Sequence, residues 1–145
     1  MFKIRNIERS DLKRIVELEE ELLKETVGEE MLASELHNKF AYFYVATFND
    51  EVIGYLSCWM VEGVVDIINV VIDKKYQHFG YGQALFQKME EDAKKNNCFE
   101  IMLEVKENNN QAIKFYLRQG YEQISIRKKY YQDRTNALIM KKVIG

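Results

Sequence analysis

The run Val70-Val71-Ile72-Asp73-Lys74-Lys75-Tyr76-Gln77-His78-Phe79-Gly80-Tyr81-Gly82-Gln83-Ala84-Leu85 joins a β-branched strand to a helix through one short loop. The strand ends at Ile72, and on the far side Leu85, Met89 and Ala93 recur at helical spacing. Such a junction suits a pyrophosphate. Gly80 and Gly82 lack the Cβ that would hold a ligand off the backbone, and a starting helix aims its unpaired N–H groups outward. No phosphate-binding lysine is required. A bare Gly-x-Gly would fit a helix that merely packs closely on a sheet, but the fuller pattern Gln77-x-x-Gly80-x-Gly82 favours a ligand site. Two other phosphate motifs fail on spacing: no Gly-Lys-Ser/Thr of a Walker loop is present, and position 85, where a dinucleotide fingerprint needs its third glycine, is leucine.

Outward from this junction the chain alternates strand and helix patterns. Residues 2–7 read as an edge strand, Ser10 is placed to cap a helix carrying Leu12, Ile15, Val16, Leu22 and Leu23, and Gly28 is placed to end it. A second helix is expected over 29–39. Residues 41–48 and 51–61 form a hairpin about Asn49-Asp50, and Glu62-Gly63 turns the chain into a third strand over 64–72. The helix from Gly80 to about Asn97 crosses to a strand over 99–105, a connection that favours parallel pairing. Asn108, Asn109 and Asn110 cap a shorter helix, Gly120 follows its end, and strands near 121–127 and 136–143 close the chain. The expected fold class is α/β (α+β), a single domain over 1–145 with a mixed central sheet in the order β-α-α-β-β-β-α-β-α-β-β.

A chain of 145 residues, 47% hydrophobic and 30% charged, can bury one continuous core. No apolar run approaches the roughly 18 residues of a membrane span, and Met1-Phe2-Lys3-Ile4-Arg5 lacks a signal-peptide pattern. A cytoplasmic protein without a membrane partner is therefore expected. Cys58 and Cys98, 40 residues apart with no metal-ligand spacing, read as buried thiols, and no metal is expected. The formal charge of −2 argues against a dedicated nucleic-acid binder. Residues 8–35 hold ten acids against four Lys or Arg, whereas 127–134 hold four bases and one acid. Solvated faces account for both; the sharper reading is an acidic flank that draws a cationic amine into an acceptor cleft.

Within this order of elements, the Val70–Gln83 segment resembles the acyl-coenzyme A binding motif of the Gcn5-related N-acetyltransferases (GNAT), and the match of elements covers essentially the whole chain. The resemblance implies acetyl-coenzyme A as co-substrate, bound by Val70, Val71, Ile72, Gln77, His78, Phe79, Gly80, Tyr81, Gly82 and Gln83 with Asn109 and Tyr116. It also implies a splay between the two central parallel strands that admits the pantetheine arm. Leu103-Glu104-Val105, Asn109, Ala112-Ile113, Tyr116, Gly120-Tyr121, Arg127, Tyr130-Tyr131, Ala137 and Met140 are similar to the bacterial ribosomal-protein-alanine N-acetyltransferases. That similarity implies an acceptor at the N-terminal alanine of a small-subunit ribosomal protein. The chain departs from the pattern at His78, usually arginine, at Lys74, where the family often has proline, and at Lys24–Glu29, where the ribosomal enzymes carry a Phe-Pro-Trp-like segment.

The reaction sets its own requirements. An α-ammonium, pKa about 8, must lose a proton before it attacks a thioester. Glu104, between Leu103 and Val105 on its strand, points to one sheet face, where burial would raise its pKa; by resemblance it takes the general-base position. A phenol of pKa about 10 can protonate the leaving thiolate, and by resemblance Tyr116 is that acid. A backbone N–H near Val71, freed by a bulge, would serve the thioester carbonyl. Tyr130 and Tyr131, in the loop between the last two strands, are the expected acceptor contacts, although aromatics among Arg127–Arg134 also suit RNA. His37 carries no assigned role. The same chemistry on a small amine or a lysine side chain is the alternative, and a non-catalytic acyl-coenzyme A binding module, with no use for Glu104 or Tyr116, is a third. The sequence leaves the oligomeric state open.

Overall fold

Alternating hydrophobicity at the N-terminus makes β1 (Phe2–Asn6), which lies antiparallel to β2 (Ala41–Phe48) at one sheet edge. The computed structural model describes residues 1–145. Helices α1 (Leu12–Leu23) and α2 (Glu29–Glu35) intervene between these strands. β2, β3 (Glu51–Val61) and β4 (Val64–Ile72) form an antiparallel meander. Its turns hold Asn49 and Asp50 at φ 50° and 68°, and Glu62 and Gly63 at φ 49° and 85°, the left-handed backbone that tight hairpins require. Helix α3 (Tyr81–Lys95) crosses to β5 (Glu100–Lys106), and α4 (Asn110–Arg118) leads to β6 (Glu122–Arg127) and β7 (Ala137–Val143). The sheet order is β1-β2-β3-β4-β5-β7-β6, with β4 and β5 the parallel pair, as the crossover predicts.

Each sheet face has its own core. Leu85, Phe86 and Met89 of α3 and Tyr116 of α4 pack on Ile53, Leu56, Ile101, Leu103 and Met140, while Leu12, Ile15, Leu18 and Leu32 of α1 and α2 pack on Val45, Val52, Tyr55 and Val71. Each fully buried aliphatic side chain contributes about 1.5–3 kcal/mol. Cys58 and Cys98 are free, buried thiols, and no helix is long and apolar enough to cross a membrane.

Three local expectations change. Ser10 does not cap α1; a 3-10 turn over Arg9–Asp11 precedes it, built on Asp11, which accepts the Glu8 backbone N–H at 2.7 Å and two Arg5 bonds at 2.7 and 2.9 Å. Burial alone would raise the Asp11 carboxyl, but Arg5 and the Glu8 amide hold it below the usual carboxylate range. Gly28, at φ 87°, is the N-cap of α2 and not the end of α1, which stops at Leu23 with Lys24 in the left-handed region. Thr26 explains the early stop, since its hydroxyl donates to Glu19 at 2.5 Å and accepts the Gly28 N–H at 3.1 Å, folding the connection back on α1. Helix α2 ends at Glu35, where Asn38 accepts the Phe40 N–H at 2.9 Å and turns the chain into β2.

Candidate active site

Pairing of β4 with β5 is confined to Val64–Asp66 against Glu100–Met102, after which the strands part. The Asp73 N–H donates to Ile53 O at 2.7 Å; alternation along the unbroken register then makes Val71 a bonded partner of Tyr55 and turns the backbone groups of Val70 and Ile72 toward the gap. Gln77 confirms that direction, its Nε2 donating to Ile72 O at 2.9 Å. The register shifts at Ile68, opposite Ser57 and Cys58, and beyond it the amides turned toward the gap left by β5 are those of Val70 and Ile72, the two neighbours of Val71. On the other side of β4, Gly54 lets β3 come close: a Cβ there would lie 2.4 Å from Val71 O.

The loop after β4 is tied down without proline. Buried Asp73 accepts the Lys75 N–H at 3.1 Å and an Arg14 bond from α1 at 2.8 Å. Gly80 at φ 87° starts α3, whose first ladder bond runs from Ala84 N–H to Gly80 O at 3.1 Å, leaving the amides of Tyr81, Gly82 and Gln83 free at the helix end. His78, at φ 69°, lies 3.3 Å from the Gln111 amide of α4.

Splay, loop and α4 enclose a cavity of about 680 Å³. Val70, Val71, Ile72, Gln77, His78, Gly80, Gly82, Gln83, Asn109 and Tyr116 all line it. Phe79 and Tyr81 are not among the lining residues: Phe79 is exposed, and the Tyr81 ring stacks on Phe2 with centroids 4.3 Å apart, so Tyr81 turns its backbone amide and not its ring to the helix end. Asn109 caps α4, accepting the Ala112 N–H at 3.2 Å. Lining that the sequence did not disclose comes from Leu22, Leu23, Gln111, Phe115, Arg118 and Gln119, and Lys74 joins it. No lining residue is Asp or Glu.

Tyr116 is buried against Phe86, Phe115 and Tyr121; burial first, and Tyr131 second, push its phenol up to about 12. Glu104 is not buried as expected. Adjacent β7 positions pair with its strand, but no helix covers it, and its carboxylate makes an ion pair with Arg127 at 3.1 Å. Arg127 in turn lies 4.7 Å over the Tyr130 ring, and Lys106 lies 5.0 Å over Tyr131. Partial burial and then the Glu104 charge raise the Tyr131 phenol. Glu104, Tyr130 and Tyr131 form one cluster beside the cavity and are not part of its lining.

A second cavity, about 290 Å³, is lined by Glu19, Leu23, Glu25, Thr26, Val27 and Asn69. Glu19 is the residue sequence reasoning missed. It is 2% exposed, accepts from the Tyr55 hydroxyl and from Thr26, and lies 3.5 Å from the Asn69 amide. Burial, then the Glu19 bond, raises the Tyr55 phenol well above its ordinary value. Leu23 lines both cavities.

A splayed parallel pair feeding a phosphate-sized loop and a free helix end defines an acyltransferase architecture, and the chain belongs to the acetyltransferase (GNAT) family, whose model matches residues 7–121. It is an acetyltransferase of that family. It is 32% identical over 138 residues to an uncharacterized N-acetyltransferase of Methanocaldococcus jannaschii, covering 94% of this chain and 88% of the relative. Over 152 residues it is 26% identical to an N-alpha-acetyltransferase of Sulfurisphaera tokodaii, covering 96% and 91%. The crystal structure of the ribosomal-protein-S18-alanine N-acetyltransferase from Escherichia coli matches it with a TM-score of 0.91 and 26% identity, over 100% of this chain and 95% of that one.

Proposed function

We propose that the chain acetylates a protein N-terminal amine from acetyl-coenzyme A, with the alanine terminus of a ribosomal protein as the favoured acceptor. One observation carries this reading: an acid-free cavity on the splayed strands meets an acidic cavity at Leu23. The first suits a polyanionic donor, the second an ammonium acceptor. The named activities of the Sulfurisphaera and Escherichia relatives support the N-terminal acceptor.

Acetyl-coenzyme A supplies an acetyl thioester, the activated form of the group transferred. The free amides of Tyr81, Gly82 and Gln83 hold its pyrophosphate, and the backbone of Val70 and Ile72 receives its amide-bearing arm. Glu19 and Asn69 orient the acceptor ammonium at the Leu23 boundary. Glu104, kept in place by Arg127, takes the amine proton directly or through water. Tyr116 keeps its own proton at neutral pH, because burial pushes it up to about 12, and delivers it from Oη to the departing thiolate.

The test is mass spectrometry of peptides incubated with acetyl-coenzyme A. An Ala-initiated peptide gains one acetyl group at its first nitrogen, while its N-blocked form does not. Equal acetylation of the blocked peptide on lysine, or faster turnover of a polyamine, overturns the N-terminal reading and leaves the donor half intact.

A further inference from the structure

The two edges of the sheet are finished differently. At β1, Phe2 and Ile4 turn onto the core, the Phe2 ring is stacked on Tyr81, and Lys3 and Arg5 put charges along the strand. Such an edge resists pairing with another chain. At the opposite edge all six residues of β6 are exposed, with Ile124 and Ile126 at 49% and 48%, and β6 is bonded on one side only, to β7. Its charges stand at its two ends and are opposite in sign: Glu122 is first, Arg127 is last, and Gln123, Ile124, Ser125 and Ile126 lie between. Against a second copy of β6 running antiparallel, acid meets base at both ends; against a parallel copy, like charges meet.

We infer that the chain forms a two-fold dimer by antiparallel pairing of β6 with β6 of a second copy, Ile124 packing on Ile126 of the partner subunit and Glu122 pairing with Arg127 of the partner subunit. The bulge in β6 sets this register. β7 meets Glu122 with Lys141, Gln123 with Met140, Ser125 with Ile139 and Arg127 with Ala137, so Gln123 and Ile124 together oppose one residue. Counted the same way about a two-fold axis at Ser125, Ile126 falls opposite Ile124 and Arg127 opposite Glu122. The faces agree as well. Ile126 pairs with Leu138 of the α3–α4 core, and Ile124, two residues away, shares that face, whereas Glu122 and Arg127 pair with Lys141 and Ala137 on the face that carries Glu104. A two-fold interface repeats each contact, so one apolar pair and one ion pair become two of each. Two six-residue strands make a small interface, which sets the Kd on the order of 10 µM. The dimer also reaches the candidate site, because it gives Arg127, already bonded to Glu104, a second carboxylate.

Sedimentation equilibrium of the full chain, from about 1 µM to about 300 µM, brackets that constant. Wild type passes from monomer to dimer across the range. Glu122→Arg and Arg127→Glu each set like charges opposite one another and stay monomeric alone, but their equimolar mixture restores every pair and sediments as a dimer of one chain of each kind. Ile124→Lys, a change at an exposed position, weakens the wild-type dimer at least tenfold. A wild-type chain that is monomeric throughout would overturn the inference and leave the edge to some other partner. A dimer that persists undiminished in Ile124→Lys or in either charge variant uses a different surface and would overturn it too, as would a mixture that stays monomeric although both variant chains melt at the wild-type temperature. None of these results bears on the donor or the acceptor assignment.

Discussion

The two cavities that meet at Leu23 differ in charge, in volume and in the kind of group that lines them. The larger is built from backbone amides, amide side chains and two free cations around the gap between β4 and β5; the smaller has Glu19 buried at its base, Glu25 beside it and no Lys, Arg or His. Helix α1 contributes to both, Leu22 and Leu23 to one and Glu19 and Leu23 to the other. In the proposed reaction this difference sorts the substrates before any contact specific to them forms. A polyanion is repelled from the side where Glu19 and Glu25 stand, and an ammonium gains nothing on the other.

The strongest way to break this division is at the residue that faces the donor side yet acts on both substrates. Tyr116→Phe is expected to lower kcat by about 10²–10³ while leaving the affinity for coenzyme A unchanged, since general acid catalysis and binding are separate contributions. Loss of binding with kcat preserved would make Tyr116 a wall of the cavity and nothing more. The pH dependence sharpens the same point. The phenol pKa is raised, so its donor function is present below about 12. The rate should rise through about pH 8 as the α-amine deprotonates and show no descending limb up to about pH 10. A fall above pH 9 in steady-state rates would contradict this.

Glu104→Gln comes next. It should reduce kcat/KM by about tenfold to a hundredfold, read in the same assay, without moving the donor Kd. The loop tether gives a smaller effect, confined to the donor side. Arg14→Ala leaves buried Asp73 without its cation, costing about 1.5–3 kcal/mol of stability, and should raise the donor KM severalfold while the acceptor KM stays put. Denaturant unfolding and two-substrate kinetics separate the two readouts. The smallest effect lies far from either cavity. Asp11 is held below its unfolded pKa, so the stability it contributes is complete above about pH 4 and is lost as pH falls through the folded value; Asp11→Asn should flatten that part of the acid unfolding curve.

The legible parts of the molecule are those decided by near neighbours. Asn49, Asp50 and Gly63 turn the meander because these residue types tolerate the left-handed backbone, and Asn109 and Gly120 bound α4 for reasons contained within one helical turn. The glycine junction belongs to the same class, and eight of its ten expected ligand contacts line one cavity. Illegible features depend on partners far along the chain. Glu19 stands in the run Glu19-Glu20-Glu21 and reads as solvated; Tyr55 and Asn69, 36 and 50 residues away, bury and bond it. Arg118 reads as a helix end until the fold puts that end on the donor cavity. Glu104 failed in the opposite direction, because strand alternation gives the face a side chain takes but not whether a helix covers that face, and α1 and α2 do not extend over β5.

The central claim is that donor and acceptor occupy separate cavities divided at Leu23, and Glu19→Gln tests it most directly. The amide keeps the shape of the side chain and its bond from Tyr55 but removes the charge. Two-substrate kinetics with an Ala-initiated peptide, paired with titration of coenzyme A, should show the acceptor KM raised about tenfold or more and the coenzyme A Kd unchanged. An unchanged acceptor KM, or a weakened coenzyme A Kd of similar size, would contradict the division.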